Sequence, residues 1–180
     1  MTAFKSVAMV RHPVEEVWKT LRDDLPSVVP YLDDVASITQ EDRAEHPDGT
    51  VRLVNRWKAS TAIPAAVKGV IKPEMLTWLD RAEWDPKLHV CSYKIETAFF
   101  ADRVRCAGTS RYEPAMGGRG TRVTFEGEIH LSAKGLPGVP GFLEGTVAKG
   151  VEAFVAALIP NNLRKVVEGV GEYLERGATT

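Results

Sequence analysis

Over residues 140–176 apolar side chains recur every three or four positions, first as Leu143, Val147, Val151, Phe154, Val155 and Leu158 and then as Leu163, Val166, Val167, Val170, Tyr173 and Leu174. That spacing predicts a long amphipathic helix, with Glu144, Lys149 and Glu152 on its wetter side. Pro160 falls inside the pattern. A proline there removes one backbone donor and crowds the preceding turn, so the expectation is a kink, or a restart at Asn161–Asn162. A stripe of this length needs a broad apolar surface opposite it, and the middle of the chain supplies one with the period of strands.

Residues 3–10 read as a first strand, with Phe4, Val7 and Val10 apolar. Pro13 then suits the first position of a helix whose first turn holds Glu15 and Glu16, where the helix dipole favours anions, and whose apolar face is Val14, Val17, Trp18 and Leu21. Pro26 and Pro30 bracket a second short helical turn through 27–31. Residues 35–41 read as a strand, His46-Pro47-Asp48-Gly49 as a turn, and 50–58 as a strand with Val51, Leu53, Asn55 and Trp57 on one face. Over 63–71 the period changes: Ile63, Ala66, Val67, Val70 and Ile71 fit a short helix between Pro64 and Pro73.

Four alternating segments follow. Their apolar faces are Leu76, Trp78, Asp80, Ala82 and Trp84; His89, Cys91, Tyr93 and Ile95; Val104, Cys106, Gly108, Ser110 and Tyr112; and Val123, Phe125, Ile129 and Leu131. The opposite faces mix Arg, Lys and Glu, which suits cross-strand pairs in water. The expected class is α+β: an antiparallel sheet, two short helices after the first strand, and a long C-terminal helix. There is no internal repeat or linker, so one domain is expected over 1–180.

Composition narrows the function classes. The 180 residues are 44% hydrophobic and 26% charged, and 23 Lys and Arg nearly balance 24 Asp and Glu, for a formal net charge of −1. No global field favours nucleic acid. The amino-terminal stretch lacks the apolar run of a signal peptide, and no segment approaches the ~20 apolar residues that span a bilayer. With only Cys91 and Cys106 and no metal-type Cys/His spacing, the expectation is a reduced, cytoplasmic protein without a metal or cofactor.

One stretch has the character of a motif. A strand ending in Val10, then His12-Pro13-Val14-Glu15-Glu16-Val17-Trp18 and Asp24-Leu25-Pro26, resembles the opening of the helix-grip superfamily of START domains, birch-pollen-allergen-like proteins and polyketide cyclases (SRPBCC). As architecture the resemblance spans essentially the whole chain. It implies a curved sheet wrapped around the terminal helix, with a cavity for an apolar ligand between them. The helical insert at 63–71 departs from the simplest members and is more like lipid-carrying relatives of the PRELI type. The superfamily shares no one catalytic set, so the resemblance assigns no catalytic residue.

The candidate ligand-binding residues are therefore those facing the terminal helix: Trp57, Trp78, Trp84, Tyr93 and Phe125 from the strands, and Phe154 and Leu158 from the helix. Aromatic rings with a few polar atoms give the contact area and direction that an apolar-ligand pocket needs, although plain core packing uses the same residues. Asn55, Asp80 and His89 are polar groups on that same face, each needing a partner, a water or a ligand. A buried Asp80 near His89 would poise an acid or base; a slip of register would leave Asp80 in solvent. Cys91 and Cys106 read as two buried thiols on consecutive strands. Lys68 and Lys72 flank the apolar face of the 63–71 segment, as in a helix that rests on an anionic bilayer or merely caps the sheet. Three functions stay open: a carrier of a small hydrophobic ligand (lipid, sterol-like or polyketide), an aromatase or cyclase using the same cavity, and a groove for a partner protein. A mouth is expected between the 63–71 segment and the first turns of the terminal helix, next to the glycine- and proline-rich connection 134–141.

Overall fold

Strand periodicity in the middle of the chain becomes a single antiparallel sheet. The computed structural model describes residues 2–97, 103–132 and 139–177. Among them, seven strands are formed: β1 (Thr2–Val10), β2 (Val35–Glu45), β3 (Val51–Ala59), β4 (Thr77–Asp85), β5 (Val90–Thr97), β6 (Val104–Ala115) and β7 (Gly120–Leu131). Their order is β1-β7-β6-β5-β4-β3-β2, with every neighbouring pair antiparallel. Helix α1 (Val14–Asp23) and a 3-10 segment (Leu25–Tyr31) carry the chain from β1 at one edge to β2 at the other. Helix α2 (Glu144–Gly177) closes the fold. The class is the expected one: α+β, a curved antiparallel sheet with a long C-terminal helix.

The inner face follows the alternation. Leu53, Trp57, Ala82, Trp84, Tyr93 and Phe125 are buried, while Arg105 and Arg111 on the opposite face of β6 are exposed. That outer face is laced with cross-strand ion pairs, among them Arg52–Glu83 at 2.7 Å and Arg81–Glu96 at 2.9 Å. These pairs are exposed and contribute little to stability. They keep the open face of the sheet wet.

Helix α2 is held at two places. Towards its C-terminus Val166, Val167 and Val170 are buried in the main core with Val10, Val17 and Leu32. Gly169 is the close-approach residue there: a Cβ would stand 2.5 Å from Leu32 Cδ2 and 2.9 Å from the Tyr31 carbonyl oxygen. Towards its N-terminus Ala148 and Val151 form a second cluster with Val67 and Ile71. Gly150 lets this contact close, since its Cβ would lie 3.2 Å from Val67 Cγ1. Between the two anchors Phe154, Val155, Leu158, Ile159 and Leu163 remain half-buried.

Several expectations are corrected. Of the kink or restart expected at Pro160, the restart does not occur: helix α2 runs on through Pro160, its two ends held by the clusters on either side. The 63–71 segment is not an α-helix. It forms a 3-10 turn at Ala65–Val67, and a second turn follows at Pro73–Met75; Pro64, Gly69 and Pro73 leave too short a run to nucleate an α-helix. Pro13 is the residue capping α1 rather than its first helical residue. Strand β2 extends to Glu45 with register shifts between Val35/Ser37 and Gln40/Asp42, as suits an edge strand that must twist away from further pairing. Most of the 134–141 connection lies outside the described residues. No helix among the described residues is long and apolar enough to cross a membrane.

Candidate functional site

The half-buried middle of α2 lies over a cavity. Its volume is about 170 Å³. Strands β3 to β7 make the floor and α2 the roof; Leu21 and Leu25 stand at one end, Ile71, Met75 and Leu76 at the other. The walls are apolar and aromatic, as binding sites for small molecules are.

Eight of the ten residues singled out in the sequence line this space: Trp57, Trp78, Asp80, Trp84, Tyr93, Phe125, Phe154 and Leu158. Asn55 and His89 do not. Asn55 is buried, directly opposite Asp80 in the β3–β4 register. His89 sits one residue before β5 at φ +49°, and its Nε2 lies 2.8 Å from Glu15 Oε1. There the strand alternation no longer applies, so the expected Asp80–His89 neighbourhood does not form. His89 instead packs edge-on to Trp18 at 5.2 Å.

The aromatic residues form two groups. Trp57 and Trp78, cross-strand partners, are stacked with ring centres 5.7 Å apart. Trp18 of α1 stands edge-on to Trp84 at 4.9 Å and to Tyr112 at 5.1 Å. Tyr112, Ser110 and Cys91 also line the cavity. They are absent from the sequence-derived candidates, although the alternation in β5 and β6 already puts them on the inner face. The Ser110 hydroxyl donates to Tyr112 Oη at 3.2 Å.

Four polar atoms of lining residues are buried without a hydrogen-bond partner: Trp57 Nε1, Trp84 Nε1, Tyr93 Oη and Asp80 Oδ1. Unpartnered buried polar groups are costly and rare in a settled core; here they share one cavity. Burial raises the Asp80 carboxyl to about 7. Burial, reinforced by the neighbouring thiols and by Asp80, pushes Tyr93 well above the usual phenol range. Cys106 rises to about 12, chiefly through burial and then through Asp80, and the same two causes push Cys91 well above the usual thiol range. Both cysteines are free and buried, and in the register Cys91 faces Ser110 while Cys106 faces Ile95, so they are not cross-strand partners. Held as neutral thiols, they are poor nucleophiles. Among the described residues no group of His, Cys, Asp and Glu is placed to hold a metal ion.

Residues 1–168 match the model of a family described as polyketide cyclase / dehydrase and lipid transport. The chain belongs to this family. No curated protein sequence matches it. Among solved structures, it is similar to the protein TTHA0849 from Thermus thermophilus, with 22% identity, a TM-score of 0.67 and coverage of 98% of this chain and 99% of that one. It is also similar to the Zhui aromatase/cyclase from Streptomyces sp. R1128 (20% identity, TM-score 0.63, 97% and 94% covered) and to norcoclaurine synthase from Thalictrum flavum (10% identity, TM-score 0.56, 96% and 86% covered). At these identities the likenesses establish the helix-grip fold of the family.

Proposed function

We propose that the protein binds a small, mainly apolar molecule between the sheet and α2 and carries it out of contact with water. The observation that supports this is the roof helix itself: anchored at both ends, and half-buried in between over a space lined by aromatic rings. Protein interiors pack to the density of organic crystals, so a cavity of about 170 Å³ inside such a wall suits an occupant. Native mass spectrometry of freshly purified protein, followed by extraction, is the test. A co-purifying apolar molecule at one per chain is the expected result; a protein that stays at its apo mass against a panel of lipids, sterols and polyketides overturns the reading.

A second reading is an enzyme of the cyclase type, as one similar structure is an aromatase/cyclase. It is favoured by Asp80, whose carboxyl changes charge at about 7 inside a cavity also lined by Tyr93, a suitable acid or base for proton transfer near neutrality. Turnover lost in Asp80→Asn with the fold retained would decide for it.

For the mouth, we propose the seam where the segment around Val67 and Ile71 meets the first turns of α2. This contact is a small cluster separate from the main core, the kind of unit that opens at low cost. The exposed Lys68, Lys72 and Phe142 at this end suit a brief contact with an anionic membrane surface.

A further inference from the structure

Asp80 is the sole charged side chain among the described residues lining the cavity; no Lys, Arg or His stands with it. Its Oδ1 has no hydrogen-bond partner. In the sheet it lies opposite Asn55 on one side and Ile95 on the other. Trp57 pairs with Trp78 and Tyr93 with Ala82, so Trp57 and Tyr93 occupy the diagonal positions flanking Asp80, at about 7–8 Å between backbones. Both carry polar atoms without partners, the indole Nε1 and the hydroxyl Oη. The stacked rings of Trp57 and Trp78 add an electron-rich surface beside the carboxyl, of the kind that attracts cations.

A ligand that completes this patch supplies the positive charge the wall lacks; Trp57 and Tyr93, on strands either side of β4, offer separate donors. A fatty acid or phosphate-bearing lipid fails the charge requirement, since no cationic side chain among the described residues lines the cavity to pair with its anion in a poorly solvated space. A plain alcohol offers an acceptor but no counter-charge. We propose that the cavity selects a lipophilic amine: an apolar molecule whose protonated nitrogen pairs with the Asp80 carboxylate beside the stacked rings of Trp57 and Trp78. The proton balance is closed. An ammonium meeting the carboxylate, or a free amine taking the proton of the carboxylic acid, yields the same ion pair, and the buried charge sums to zero in both. This inference rests on the ligand-binding reading above and specifies its chemistry.

Three probes that differ in one group test it by calorimetry at pH 7.5: 2-(6-methoxynaphthalen-2-yl)ethylamine, the corresponding ethanol and the corresponding acetate. A charge-assisted hydrogen bond predicts that the amine binds about ten- to a hundredfold more tightly than the alcohol, with the acetate weakest. In Asp80→Asn the amine should fall to within about twofold of the alcohol. Equal or weaker binding of the amine than the alcohol in the wild-type protein overturns the inference while leaving the cavity as a binding site, and needs no variant to fold. An amine preference that survives in folded Asp80→Asn overturns it too. Failure of all three probes to bind the wild-type protein overturns the binding reading and this inference with it.

Discussion

Tyr93 and Gly108 face each other across β5 and β6, and the space a side chain would take at Gly108 is occupied by the tyrosine hydroxyl. A Cβ there would stand 2.6 Å from Tyr93 Oη and 2.3 Å from the carbonyl oxygen of Glu126. The glycine thus sets where the hydroxyl meets the cavity. Gly108→Ala should destabilise by about 1–3 kcal/mol, as overpacking does, seen as a loss of roughly 2–12 °C in Tm. It should also weaken binding of any ligand that uses Tyr93. An unchanged Tm would mean that β6 shifts freely at this point.

Asp80 gives stability a pH signature. Its folded carboxyl titrates at about 7 against an ordinary value of 3.8, so the folded state holds this proton more tightly than the unfolded one. The contribution is most favourable below the unfolded value and is lost as pH rises through about 7. Asp23, Glu96 and Glu126 are shifted down by their basic hydrogen-bond partners, and their contribution is lost only as pH falls into the acid range. Between pH 5 and 8, urea unfolding should therefore show Asp80→Asn gaining on the wild-type protein by about 2–3 kcal/mol. Parallel curves for the two proteins would show that the carboxyl is solvated in the folded state.

Two glycines of α2 should answer alanine in opposite directions. Gly145, in the first turn of α2, has no atom within 4 Å of where its Cβ would be, so Gly145→Ala should stabilise by up to about 1 kcal/mol through helix propensity alone. Gly169 is pressed against Leu32 and the Tyr31 carbonyl, so Gly169→Ala should destabilise despite the same propensity gain. Thermal unfolding of the two variants checks both signs, and a stabilised Gly169→Ala would mean that this anchor is loose.

The strands, their inner face and the terminal helix are legible in the sequence because period two and period 3.6 are strong signals where one face is buried. Asp80, placed by alternation within β4, lines the cavity with three tryptophans and Tyr93. His89 escapes the same alternation because it stands one residue outside β5, in a turn whose positive φ redirects the side chain towards Glu15. The 63–71 segment has helical spacing, but three helix breakers reduce it to turns, and packing on α2 rather than propensity determines its course. Leu21 and Leu25 are readable as apolar; that they stand at one end of the cavity depends on how α1 and the 3-10 segment cross from edge to edge, which no local pattern encodes.

The central claim is that the space beneath the middle of α2 is where an apolar ligand sits, and Leu158→Trp tests it most directly. Leu158 lines the cavity from the roof, and a larger ring should fill the space without disturbing either anchor. Titration with Nile red, followed by fluorescence, should show one site per chain in the wild-type protein and at least about tenfold weaker binding in the variant, with Tm unchanged or raised. Equal affinity in a folded Leu158→Trp protein would place the binding elsewhere and contradict the account.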